Sequence, residues 1–351
     1  MKLSVVSAFI VASLAIQGCG RGDQSDLEQN TSIPSDGTVQ DDRLTGAEGS
    51  GLGLASTAKK PGSGRGEVYL GPENRPALFK PALTSKIKVK RPLLLVLHAH
   101  GFDGAAADWY LNATNTAKLL NAHLLLPNGR PNLLGQRFWE ATDACCNFLQ
   151  EPLTGPSDVD YLVGLVKEAS AKYSVDAQQV YVVGYASGSF MANRLACDHA
   201  EVFAGVVSVS GGNWNDTEMC KPSKPINFLH VHGNADSMVL FDGGLLYGVP
   251  YPSANETTSF WAAHNKCKRQ SYQAGADELS FFNIDMAISG IPSSPDQLLP
   301  YYSPDMETDR QTYSGCQANG RVGLWVMNGL GHAPFYNPDF LLKALSFVKK
   351  H

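Results

Sequence analysis

The feature that most constrains this chain is a series of short, unbroken apolar runs separated by segments of helical periodicity. Residues 92–97 form one such run, and residues 122–126 form another, broken only by His123. Residues 179–183, 203–209, 226–231 and 322–327 are rich in the same residue types. A strand with one wet face alternates apolar and polar residues, whereas an unbroken run marks a strand buried on both faces. The intervening segments carry helix signals. Ser157 and Asp158 can cap a helix whose apolar residues include Tyr161, Leu162, Leu165 and Val166. Residues 187–196, 253–264 and 340–350 read as further helices. Strands alternating with helices imply a mostly parallel, doubly wound sheet with helices on both faces. Residues 269–315 fit no regular pattern and are expected to form an insertion or a lid-side loop.

The N-terminal region bears on compartment. Lys2 precedes an apolar stretch over residues 3–16, too short to span a bilayer and of the size of a signal-peptide core. The stretch ends in Ile16, Gln17, Gly18 and Cys19, which resembles the bacterial lipobox, in which Cys19 is lipidated. Residues 1–19 are therefore expected to be a lipoprotein signal peptide, with an ordinary cleaved secretory signal as the alternative. Residues 20–65 are rich in Gly, Ser, Asp, Thr and Gln and are expected to be a flexible linker. Residues 66–351 then form one domain. The protein is expected to be exported, lipid-anchored to the bacterial cell envelope or secreted. Its contact with the membrane would run through the lipid alone. A net charge of −5 without Lys/Arg clusters argues against nucleic acid as a partner. The six cysteines besides Cys19 are Cys145, Cys146, Cys197, Cys220, Cys267 and Cys316. An even count in an oxidising compartment favours disulfides. No Cys-x-x-Cys pair and no histidine at ligand spacing speaks for a metal. Spacing alone leaves the pairing open.

The residues that carry chemistry follow the strands. Gly184, Tyr185, Ala186, Ser187 and Gly188 come after a strand and open a helix, which is the context of a Gly-x-Ser-x-Gly nucleophile elbow. The middle residue is Ala186, which has no hydroxyl. Asp236 and His332 each lie just beyond a later strand. The order elbow, Asp, His is that of a serine hydrolase triad on an open parallel sheet.

Several motifs together carry a family resemblance. Residues 91–98, 138–146, 158–162, 180–184, 193–197 and 232–236, followed by Gly331 and His332, resemble polyhydroxybutyrate depolymerase-like and feruloyl esterase-like proteins. The resemblance spans about residues 66–351. It implies the α/β-hydrolase fold and cofactor-free hydrolysis of carboxylic esters, with a small-molecule or polymeric ester as partner. It also implies the bridges Cys197–Cys220 and Cys267–Cys316, leaving Cys145 and Cys146 as a vicinal pair. The departures cluster at the reaction centre. Ala186 stands where the family has Ser, Ser187 where it has Asn, and Ser189 where it has Gly. The loop at His98, Ala99, His100 and Gly101 departs from His-Gly-x-Gly. An oxyanion hole would draw on backbone N–H groups of Ser187 and of Ala99 or His100. Trp139, Phe335 and Tyr336 are candidates to line a substrate cleft, with core packing as the alternative for each. Two readings follow. In one, the chain is an esterase, with Ser187 a displaced nucleophile, His332 the general base and acid, and Asp236 its orienting partner. In the other, it is a catalytically dead lipoprotein that binds an ester, a glycan or a protein partner.

Overall fold

The apolar runs become the centre of one large sheet. In the computed structural model the described residues are 68–83, 89–283 and 307–349, and all belong to the unit Lys59–His351. The expected signal peptide, Cys19 and the linker lie outside the described residues. In chain order the elements begin with β1 (Val68–Leu70), β2 (Ala77–Lys80), β3 (Arg91–Leu97), α1 (Gly104–Leu111), α2 (Ala113–Leu120) and β4 (His123–Leu126). A hairpin of β5 (Arg130–Pro131) and β6 (Arg137–Phe138) leads to α3 (Asp158–Lys172), β7 (Val175–Tyr185) and α4 (Ser187–His199). Then come β8 (Gly205–Val209), β9 (Asn227–Gly233), a second hairpin of β10 (Gly244–Leu246) and β11 (Val249–Tyr251), and α5 (Ala254–His264). Next are β12 (Arg269–Glu278), β13 (Ser280–Asn283), β14 (Glu307–Ser314), β15 (Val322–Met327), β16 (Pro334–Tyr336) and α6 (Phe340–Val348).

The main sheet runs β1-β2-β4-β3-β7-β8-β9-β15-β14-β12. The six strands from β4 to β15 are parallel, and both edges are antiparallel. Alternation along β3 shows why its sequence is unbroken. Leu93, Leu95 and Leu97 join one core cluster with Leu162, Leu195 and Trp261 of α3, α4 and α5. Leu94 and Val96 are as deeply buried but point to the opposite face. That face is covered by α1, α2 and α6, whose contacts run to β3, β4, β8 and β9. Caps behave as their sequences suggest: Ser157 Oγ accepts from Asp160 N at the head of α3, and Ser253 with Glu256 forms a capping box on α5. Strand β8 begins at Gly205, two residues later than the apolar run, because Phe203 and Ala204 belong to the turn that enters it.

Within the range 269–315, residues 284–306 lie outside the described residues, and for the remainder the expected loop needs correction. Arg269–Glu278 and Glu307–Ser314 are regular strands, and they extend the sheet beyond β15 as an antiparallel edge. An edge strand is not buried on both faces, so it carries mixed polar residues such as Arg269, Gln270 and Ser271 and escapes a search for apolar runs. The six cysteines form Cys145–Cys146, Cys197–Cys220 and Cys267–Cys316. The second bridge ties the end of α4 to the segment after β8. The third clamps the start of β12 to the end of β14.

Candidate active site

The turn between β7 and α4 is built by its glycines. A Cβ on Gly184 would lie 2.0 Å from the carbonyl oxygen of Gly188, and one on Gly188 would lie 2.3 Å from that of Leu97. Both positions therefore require glycine for close backbone approach. Between them Ala186 adopts φ 53° and ψ −114°, a conformation that L-residues rarely take. Holding a non-glycine residue there costs about 1–3 kcal/mol, which the surroundings must offset. They do so by fixing both of its peptide groups. Ala186 N–H donates to Val209 O at 2.9 Å, and Ala186 O accepts from Ser189 N at 2.9 Å and Phe190 N at 3.3 Å. Ser187 is the first residue of α4, where N–H groups have no acceptor within the helix. Its side chain is buried, with Oγ 3.4 Å from His98 O.

Adjacent parallel strands bring Asp236 and His332 together. Strands β9 and β15 pair so that Gly233 stands beside Met327, and the loops beyond them are laced together. Ala235 N donates to Leu330 O at 3.0 Å, and Gly329 N donates to Asn234 Oδ1 at 2.8 Å. A Cβ on Gly233 would lie 2.2 Å from Leu330 O, so the approach depends on that glycine. His332 Nδ1 then donates to Asp236 Oδ2 at 2.8 Å, and His232 Nε2 donates to the same oxygen at 3.1 Å. Oδ1 accepts from Met238 N and Val239 N, both at 2.9 Å. Burial alone would push the Asp236 carboxyl up, but the His332 and His232 rings outweigh it and hold it below the usual carboxylate range. The elbow adjoins this pair, because Tyr185 OH donates to His332 O at 3.1 Å.

Behind Asp236 runs a buried polar chain that sequence reasoning missed. His232 Nε2 faces two acceptors, Asp236 Oδ2 and Val239 O, so it carries the proton. On its other side, Nδ1 of His232 lies 3.0 Å from His230 Nε2, which donates to it. His230 is fully buried, and burial drives its pKa well below the usual value. Its Nδ1 accepts from Ser208 Oγ at 2.9 Å, and Ser208 Oγ in turn accepts from Asn193 Nδ2 at 2.9 Å and Ser189 Oγ at 2.6 Å. Every donor in this chain points toward Asp236. The signal was present in outline: His230 and His232 are two apart on a strand, so their side chains share a face.

The loop after β3 is organised by His98. Gly129 N donates to its Nε2 at 2.8 Å, so Nδ1 carries the proton and donates to Ala99 O at 2.7 Å. Burial pushes the pKa of His98 down to about 4. Ala99 is buried at the start of the loop, and the His100 ring stands 5.2 Å from that of Phe148. Of the two readings of Trp139, core packing is the one its burial fits. It is fully buried, its ring lies 4.8 Å from His98, and its Nε1 donates to His98 O at 2.9 Å. It supports the loop from the core and offers no surface to a ligand. Tyr336 is likewise buried, stacked on Phe340 at 4.0 Å. Phe335 is half-buried, edge-on to the half-exposed Trp109 at 6.4 Å. Among the described residues no group of three His, Cys, Asp or Glu side chains could hold a metal ion, and no helix is long and apolar enough to cross a membrane.

Comparison with known proteins places this geometry. The chain is 26% identical over 250 residues to feruloyl esterase B of Piromyces equi, covering 68% of this chain and 39% of that protein. It is 30% identical over 129 residues to a poly(3-hydroxybutyrate) depolymerase of Ralstonia pickettii, covering 33% of this chain and 24% of that one. The matches thus span about two fifths or less of these relatives' lengths. Among solved structures, an acetyl xylan esterase from Aspergillus awamori superposes with a TM-score of 0.52 at 14% identity, over 80% of this chain and 99% of that one. That likeness is one of fold. The profile of the Alpha/beta hydrolase family matches residues 94–344. With the strand order, the elbow turn and the esterase relatives in agreement, this chain belongs to the Alpha/beta hydrolase family.

Proposed function

We propose that the protein carries the binding cleft and the Asp–His half of the triad of a carboxylic ester hydrolase, and that it holds ester ligands without turning them over. The observation behind this reading is the pairing of a strained elbow with a fully hydrogen-bonded Asp236–His332 couple. Ala186 keeps a conformation that has a cost, the preceding Tyr185 donates to the carbonyl of His332, and the ring of His332 is held by Asp236; residue 186 itself offers no attacking oxygen. In that reading Ala186 marks the nucleophile position, His332 is the general base and acid, and Asp236 orients its ring. The N–H groups of Ser187 and of Ala99 or His100 are the oxyanion donors. The ligand is a small-molecule or polymeric ester, taken without a cofactor. A lipid on Cys19 and the linker after it would hold the domain at the cell envelope. The three disulfides support an oxidising compartment.

A displaced nucleophile at Ser187 fits less well. Its hydroxyl is buried and lies toward His98 O at 3.4 Å, and Tyr185 would then take the place of a small residue before the nucleophile. Loss of a triad serine costs about 10⁶ in kcat, or roughly 8 kcal/mol of barrier. The purified protein is therefore expected to leave p-nitrophenyl butyrate unhydrolysed above background. Ala186→Ser is expected to gain hydrolysis by at least about 10³-fold. Turnover by the natural chain that Ser187→Ala abolishes would overturn the reading.

A further inference from the structure

A hollow of about 520 Å³ lies between the β1–β2 turn, the β5–β6 hairpin and residues 151–156. Its wall includes neither the elbow nor Asp236 and His332. It adjoins the His98 loop. Gly129, in its wall, donates to His98 Nε2, and the carbonyl of Arg137 accepts from Gly101 N at 2.8 Å.

Charge selects what this hollow can take. Arg75, Arg130 and Arg137 all stand in its wall, a local reversal of sign in a chain of net charge −5. Hydrogen bonds fix where two of the head groups sit. Arg130 Nη2 donates to Pro156 O at 2.8 Å and Arg137 Nη1 donates to Gly129 O at 3.1 Å, and both acceptors belong to wall residues. The charged ends, and not the stems alone, therefore border the space. Arg75 and Arg130 share one carboxylate, that of the fully buried Asp158, at 2.6 and 3.3 Å. The other oxygen of Asp158 accepts from Glu140 N at 2.7 Å. Arg137 pairs with no carboxylate among the described residues, and the bond to Gly129 O uses one of its five N–H donors. Glu151 is the acid of the wall, and its Oε1 accepts from Leu133 N at 2.7 Å. Three guanidinium groups against Asp158 and Glu151 leave one positive charge unbalanced. Beside this charge the wall is apolar: Pro131, Pro152 and Pro156 are exposed, and Leu153 is half-buried.

A cation would be repelled from such a space, and a neutral ligand would leave the surplus charge unmatched. A phosphate dianion would overshoot it and leave the prolines wet. An organic acid with one carboxylate and an apolar body matches both parts. Its carboxylate accepts paired N–H groups from a guanidinium fork, and its body covers the proline face. The volume lies within the range of ligand sites, roughly 300 to 1,000 Å³.

We propose that this hollow binds an organic monocarboxylate with a short apolar body, and that Arg137 is the main partner of the carboxylate. Binding here needs no ester turnover, so failure of the ester assay would leave it standing. The test is a fluorine NMR titration of the full natural chain with 4-fluorobenzoate, beside neutral 4-fluorobenzamide and inorganic phosphate. The benzoate is expected to saturate with a Kd of about 1 mM or tighter, and the amide to bind at least about tenfold more weakly. Arg137→Gln is expected to weaken the benzoate at least about tenfold. Glu151→Gln keeps the acceptor for Leu133 N and removes a like charge. It is expected to tighten the benzoate about threefold at an unchanged Tm, and it carries the test should Arg137→Gln fail to fold. Absence of saturation at about 10 mM would overturn the proposal. So would equal binding of the amide, tighter binding of phosphate, a folded Arg137→Gln chain with an unchanged Kd, or a Glu151→Gln chain that does not bind more tightly.

Discussion

Ala186 occupies a backbone conformation that favours glycine, held there by Val209, Ser189 and Phe190, yet it carries a methyl group rather than a reactive oxygen. The neighbouring titratable groups have been kept in a definite state. His98 is fully buried, and its pKa falls from 6.5 to about 4. A histidine with a depressed folded pKa contributes stability that is complete above the unfolded value, and that stability is lost as pH falls toward the folded one. Stability is therefore expected to drop between pH 6.5 and 4, by about 2 kcal/mol from His98 at pH 5. His230, buried and lowered by the same cause, acts in the same direction. Urea midpoints at pH 7 and pH 5 check this, and equal midpoints would contradict it. Asp236 accepts four hydrogen bonds, so Asp236→Asn leaves the His332 and His232 donors facing an amide. The variant is expected to lose about 3 kcal/mol or more in denaturant unfolding. Placed on an Ala186→Ser background, it is expected to lower kcat by about 10⁴.

The elements explain which parts of the molecule could be read in advance. Central strands β3, β4, β8, β9, β15 and the second half of β7 are buried on both faces, so their sequences are mostly apolar and their positions were legible to within a few residues. The edge strands β12 and β14 pair by backbone hydrogen bonds while leaving much of their side-chain surface wet. Their signature is polar, and it was taken for a loop. The same limit applied to the site. Ala186, Asp236 and His332 were legible because each follows a strand in a fixed order. The chain from Ser189 through Ser208 and His230 was not, because it joins three elements distant in sequence. For Trp139 the choice between cleft and core stayed open, because a sequence shows that a residue is aromatic but not whether the loop covers it. The β12–β14 edge is also where a covalent clamp has most effect. Cys267–Cys316 closes a 49-residue separation and Cys197–Cys220 one of 23. Loop-closure entropy makes these worth about 4 and about 3 kcal/mol. Cys267→Ser/Cys316→Ser is expected to lower unfolding stability more than Cys197→Ser/Cys220→Ser. The reverse order, in urea titrations of the two variants, would contradict the entropic account.

At the scale of the whole molecule, the candidate site lies where an open parallel sheet places one, beyond the carboxyl ends of β3, β7, β9 and β15. Each strand delivers one part: the His98 loop from β3, the elbow from β7, Asp236 from β9 and His332 from β15. Helical layers on both faces, the lacing of the last two loops and three disulfides hold these parts in register without any contribution from Ala186 itself. In the proposed function, residue 186 is the nucleophile position of a site otherwise assembled for acyl transfer. Its most direct test is peptide mapping by mass spectrometry after treatment with a fluorophosphonate ester, which reacts with an activated serine. The natural chain is predicted to remain unlabelled, and Ala186→Ser to carry one phosphonyl group at residue 186. Labelling of the natural chain at Ser187, or an Ala186→Ser chain that stays folded and unlabelled, would rule out residue 186 as the nucleophile position.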